Sequence, residues 1–203
     1  MNIFFDLDGT LLDSRQRLYQ LFQELVVAST LSFDDYWELK RNKINHKQIL
    51  FNQFNFTEKE YLDFEKEWMS KIELPEYLDY DIPFEGTTLF LENLKQNHHL
   101  YLVTARQSFL SAETQIKKLG WENIFDKILV TLQKQEKHQL IKNNVHVNPE
   151  DWFIGDTGKD IETGKLLGMK TAAVLSGFLN ETHLLSYGPN IILDYAKHFN
   201  PNK

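Results

Sequence analysis

Asp6 and Asp8 follow at once on the apolar run Ile3-Phe4-Phe5, and Gly9-Thr10 come straight after them. Residues two apart on an ideal strand point the same way, so the spacing predicts two carboxylates on one side at the end of a buried strand. Such a pair is costly away from water unless a cation sits beside it. A hard divalent ion such as Mg2+ suits oxygen ligands of this kind. A carboxylate held there can also attack phosphorus and form an aspartyl-phosphate. Gly9 lets the chain turn sharply behind the pair. The chemistry implied by these ten residues is phosphoryl transfer.

Further groups of matching chemistry stand where other short apolar runs end. Leu100-Tyr101-Leu102-Val103 ends in Thr104, and Arg106 follows; Trp152-Phe153-Ile154 ends in Gly155-Asp156, with Asp160 four residues on. Lys127 to Val130, Thr171 to Val174 and Ile191 to Leu193 are further candidate strands. Helical patterning fills 87–97, 108–119, 136–144 and 160–167, the last ending at Gly168, a natural residue just past a helix. Strands alternating with helices predict an α/β fold, a Rossmann-like parallel sheet with helices on both faces. Ligands of such sheets bind outside the carboxyl ends of the strands, where all these polar residues fall. Lys134 and Lys137 both stand before the Trp152 strand; Lys137 is preferred because it begins the apolar helical pattern that continues through Leu140 and Ile141.

Residues 13–83 have a different texture. Leu18, Leu21, Phe22, Leu25 and Val26 recur at helical spacing. Ser14 is expected to cap that helix, and Thr57 with Glu60 forms a capping-box signature ahead of Tyr61, Phe64 and Trp68. About four helices are expected here, inserted after the first strand as a small α-helical cap over a core domain made of 1–12 and 84–203. The cap carries a basic cluster, Lys40, Arg41, Lys43 and Lys47, suited to a second anionic group such as a carboxylate. A solvated helix face explains that cluster equally well.

Composition narrows the function classes. The 203 residues carry a formal charge of −7 with 25% charged and 42% hydrophobic residues, and no cysteine. Thiolate metal sites and disulfides are excluded. An acidic chain without a basic block argues against nucleic acid as a partner. No run reaches the length of a membrane span, and no positive region precedes the first apolar stretch. A cytoplasmic protein with a small-molecule partner and no membrane partner is expected, as a monomer or weak dimer.

DLDGTLLDS at 6–14, VTAR at 103–106, a lysine at 137 and GDTGKD at 155–160 together resemble the haloacid dehalogenase-like hydrolases, in particular the phosphoglycolate-phosphatase-like branch with its inserted helical cap. The resemblance spans nearly the whole chain. It implies Asp6 as nucleophile and Asp8 as general acid-base, with Asp6, the Asp8 backbone carbonyl, Asp156 and Asp160 around Mg2+. It implies Thr104 and Lys137 on the phosphoryl group. Because the inserted cap leaves from and returns to the edge that carries the nucleophile, Lys40 or Arg41 is expected near the substrate's distal end; Arg106 is a candidate substrate contact or a surface residue. Family members that cleave carbon–halogen bonds or phosphonates lack an aspartate at the position of Asp8. The activity expected is therefore Mg2+-dependent hydrolysis of a small phosphate monoester. A sugar phosphomutase is the alternative enzyme, and a regulatory or binding protein without turnover is a third reading, disfavoured because such a protein has no need of so costly an acidic set.

Overall fold

The computed structural model describes residues 1–201, which form two compact units, 1–13 with 83–201 and 14–82. The first unit is built on a six-stranded sheet. Its strands are β1 (Asn2–Phe5), β4 (His99–Thr104), β5 (Lys127–Val130), β6 (Trp152–Gly155), β7 (Lys170–Val174) and β8 (Ile191–Leu193), in spatial order β5-β4-β1-β6-β7-β8. The short β2 (Leu12–Asp13) and β3 (Ile82–Pro83) make a separate two-stranded ladder. All five pairings of the large sheet are parallel, so it is the predicted Rossmann-like α/β architecture. The chain winds outward from β1 to β4 and β5 on one side and to β6, β7 and β8 on the other. That puts the reversal of strand order at β1, where crevices open at the carboxyl edge.

Alternation along the strands explains why the sheet is covered twice. Ile3, Phe5, Leu100, Leu102 and Ile154 pack with Leu91 and Leu94 of α6 (Thr87–Lys95) and Ile116 of α7 (Phe109–Lys118). Phe4, Val103, Leu129 and Phe153 face the other way, onto Leu140 and Ile141 of α8 (Lys137–Asn144). Phe4, Phe5 and Phe153 are fully buried, and each side chain of this kind stabilises the fold by roughly 1.5–3 kcal/mol. α9 (Gly158–Leu166) and α10 (Glu181–Ser186) complete the cover, with Ile161 and Leu184 against Ala173. The pattern analysis had no helix at α10, whose start is fixed by the Asn180 side chain accepting from the backbone N–H of His183.

The second unit holds α1 (Arg15–Leu25), α2 (Phe33–Arg41), α3 (His46–Phe54), α4 (Glu58–Lys71) and the one-turn α5 (Pro75–Leu78). The fifth helix exceeds the four expected; it is too short to show a period and begins with proline at its first turn. Thr57 and Glu60 form the predicted capping box. Ser14 does not act as predicted: it stands at the start of α1, but its hydroxyl makes no capping hydrogen bond and its backbone is not extended, as a capping residue requires. The core is aromatic. The Phe22 ring lies 4.8 Å from Tyr36 and 6.1 Å from Phe64, and the His46 ring lies 4.3 Å from Trp68. His46 Nε2 shares a hydrogen bond of 2.8 Å with the Tyr36 hydroxyl. Burial, then the nearby Lys40 charge, hold the imidazole well below its usual pKa, so it is neutral.

Candidate active site

β1 runs out at Phe5, and the chain then turns within seven residues. The N–H groups of Leu11 and Leu12 both reach the carbonyl of Leu7, and Gly9 takes a φ of 82°. Asp6 therefore still belongs to the sheet edge, its N–H on the carbonyl of Ile154 at 2.9 Å. Asp8 belongs to the turn. The two carboxylates are near enough for the Asp8 charge to help raise the Asp6 pKa. Each meets a different cation.

Asp6 meets Lys137. The lysine is the first residue of α8, and its Nζ lies 2.6 Å from Asp6 Oδ1 and 2.6 Å from Asp160 Oδ1. All three side chains are at most 10% exposed. Burial works against the ammonium, but the Asp160 and Asp6 charges outweigh it and hold its pKa above the usual lysine value. Lys134, the other candidate, lies exposed in the preceding loop. Asp160 comes from the first turn of α9, where its Oδ2 also accepts from the backbone N–H and the hydroxyl of Thr157, at 3.0 and 2.6 Å. Both its oxygens are thus engaged by protein groups.

Asp156 is the third buried carboxylate, fully enclosed just past the end of β6. Oxygens of Asp6, Asp156 and Asp160 lie within 4.8 Å of one another. The Asp8 carboxylate is not one of this group, in keeping with a metal role expected of its backbone carbonyl alone. Burial, then Asp6 and Asp160, push the Asp156 carboxyl well above its usual pKa. Burial also raises Asp6, to about 7, although Lys137 opposes the shift. Three carboxylates face one ammonium, and the strain this creates is what a divalent cation relieves. The donor set, all hard oxygens, fits Mg2+.

Asp8 meets Arg106. The guanidinium grips both carboxylate oxygens, Nε to Oδ2 at 2.9 Å and Nη2 to Oδ1 at 2.8 Å, while Nη1 donates to Gln115 Oε1 at 2.5 Å. Arg106 is only 3% exposed. It is thus a buried partner of Asp8 and not a surface residue, the alternative expected for it. Thr104 is buried at the end of β4, its carbonyl accepting from the N–H of Thr131 at 3.0 Å. Lys40 and Arg41 lie in the last turn of α2, in the helical unit. Gln115 and Thr157 were not foreseen, since a mid-helix glutamine and a Gly-Asp-Thr turn carry no signal that tells a site partner from a surface residue.

Comparison with known proteins places the chain in a family and agrees with its fold. The model of the haloacid dehalogenase-like hydrolase family matches residues 3–174. A curated N-acetylmuramic acid 6-phosphate phosphatase of Pseudomonas putida is 25% identical over 210 aligned residues, covering 95% of this chain and 91% of the relative. Among solved structures, a haloacid dehalogenase-like family hydrolase from Streptococcus pneumoniae superposes with a TM-score of 0.77 at 22% identity, covering 99% of this chain and 94% of that one. A predicted phosphoglycolate phosphatase from Haemophilus somnus gives 0.74 at 20% identity, with 95% and 93% covered. These two share the fold.

Proposed function

The chain belongs to the haloacid dehalogenase-like hydrolases and is a phosphatase of that family; we propose that it hydrolyses a small phosphate monoester with Mg2+, through an aspartyl-phosphate on Asp6. The observation that carries this reading is the position of Lys137, bridging Asp6 and Asp160 beside Asp156. A nucleophilic carboxylate needs its charge balanced without being protonated, and this arrangement supplies the balance on one side only.

Asp6 attacks phosphorus in line, and the bond to the leaving oxygen breaks as Asp8 gives that oxygen a proton. Asp8 then takes a proton from water, which attacks the phosphoryl group and frees Asp6. For the first of these steps Asp8 must release at least one oxygen from Arg106 and take up a proton there from solvent, the proton it then passes to the leaving oxygen. Lys137 places its charge on the transferring group, and Thr104 donates a hydroxyl to a phosphoryl oxygen. Asp160 orients Lys137 and completes the acidic set. Asp6 and Asp156 would hold Mg2+, with the Asp8 carbonyl as the family resemblance implies; the ion neutralises phosphoryl charge when bound.

The helical unit is assigned the role of a cap that selects substrate through Lys40 and Arg41. Lys40 is half-buried in its unit, and burial pushes its pKa down to about 8. A desolvated cation of this kind favours a substrate with a second negative group, such as a carboxylate. The relative from P. putida acts, by its name, on a phosphate ester that is also an acid.

Phosphate release from a panel of phosphorylated carboxylic acids and sugars tests the proposal. Release should stop in chelator and return with Mg2+, and Ca2+ should restore it poorly because a larger ion with looser coordination disturbs in-line geometry. Full activity in chelator would overturn the Mg2+ requirement.

A further inference from the structure

Asp156 has no room to move. Its Oδ2 accepts a 2.7 Å hydrogen bond from the backbone N–H of Phe178, and its Oδ1 accepts from the Thr10 hydroxyl at 3.3 Å. Thr10 belongs to the turn after Asp8, whereas Phe178 belongs to the loop that leaves β7. Ser176 ties the two together, its buried hydroxyl donating to the carbonyl of Gly9 at 2.8 Å. Between Ser176 and Phe178 stands Gly177. A Cβ at Gly177 would lie 1.9 Å from Asp156 Oδ2 and 2.3 Å from its Cγ, and one at Gly9 would lie 2.4 Å from the same oxygen. The carboxylate is thus walled in by two glycines and held by a backbone N–H.

We propose that the Ser176-Gly177-Phe178 loop is a positioning element for the divalent cation, with Gly177 admitting the Asp156 carboxylate and the Phe178 N–H fixing it. The inference rests on the reading of Asp156 as a Mg2+ ligand. Its physical basis is preorganisation. A carboxylate already fixed in one orientation loses little freedom when it takes up an ion, and groups that orient a ligand typically govern affinity by about 10–100-fold. Gly177 is needed for space rather than for backbone freedom, since its φ lies outside the left-handed region.

The test is Mg2+ binding measured by calorimetry on the intact chain without substrate, beside thermal unfolding of the metal-free protein. Gly177→Ala should weaken Mg2+ binding about tenfold or more. Ser176→Ala, which frees the loop from Gly9 without introducing bulk, should weaken it about threefold and lower metal-free stability only by the worth of one hydrogen bond. Ser186→Ala, on exposed α10, should change neither. If Gly177→Ala does not fold, Ser176→Ala decides alone. Wild-type affinity in Ser176→Ala, and in any folded Gly177→Ala, would overturn the role of the loop and leave the Mg2+ reading intact. Failure of the wild-type protein to take up Mg2+ would remove that reading and this inference together.

Discussion

Two lysines, one in each unit, give up solvent, and their pKa values move in opposite directions. Lys137 is buried between Asp6 and Asp160, and their charges hold it protonated above the usual lysine value. Lys40 is half-buried beside an aromatic core and a neutral histidine, and burial lowers it to about 8. Desolvation acts in the same direction on both, so the difference comes from the partners. Lys137 is a fixed positive charge for chemistry that must not vary with substrate. Lys40 is a charge that gains from an anion brought in from outside, which suits a role in selection.

The largest expected effect comes from removing the fixed charge. Lys137→Ala leaves Asp6, Asp156 and Asp160 without a protein cation and takes away transition-state stabilisation. We expect kcat to fall by about 10²–10³-fold, measured by phosphate release at saturating Mg2+. A residual rate within a factor of two of wild type would break the contrast at its stronger end.

The next prediction uses pH. Asp6 is raised from 3.8 to about 7 in the folded protein, so between those values the folded state binds more protons than the unfolded one. Stability of the metal-free protein should therefore fall as pH rises from about 4 to about 7. Lys40 is lowered from 10.5 to about 8, so between those values the unfolded state binds more protons and stability should rise with pH. Urea unfolding in chelator checks both slopes. Lys40→Met should remove the alkaline rise and leave the acid-side fall in place, and loss of both or neither would contradict the assignment.

A smaller effect is expected on selectivity. Replacing Lys40 and Arg41 together by alanine should raise KM for the preferred acidic substrate about tenfold, the worth of one charge-assisted contact. KM for a simple aryl phosphate should hardly change. Equal, small changes for both substrates would reduce the pair to a solvated helix face.

The contrast also shows how far the sequence could be read. Strand alternation, the run into Asp6 and the Gly155-Asp156 ending of β6 are local patterns, and they located the sheet and its carboxyl edge. Lys137 could be picked over Lys134 only because it begins a helical period. Directions were harder. The spacing of Asp6 and Asp8 placed two carboxylates at the strand end, but not their pairing with different cations, Lys137 and Arg106. The grip of Arg106 on Asp8, and of Gln115 on Arg106, joins residues 98 and 9 positions apart and leaves no mark on periodicity. Asp160 was legible as an acid near the site, not as the partner of Lys137 and Thr157. His46 was invisible, since a polar letter at the start of a helix gives no sign that it will be stacked on aromatic rings.

The central claim is covalent catalysis through Asp6, and trapping the phosphorylated enzyme tests it most directly. Asp8→Asn cuts the water attack that clears the intermediate, while an aryl phosphate with a good leaving group still allows its formation. This variant, mixed with Mg2+ and the aryl ester, quenched in acid and analysed by peptide mass spectrometry, should carry one phosphoryl group on Asp6, labile to base. The same experiment with Asp6→Asn should give no phosphopeptide and no turnover. Phosphate release by Asp6→Asn at the wild-type rate, or a phosphoryl group trapped on any other residue, would contradict the account.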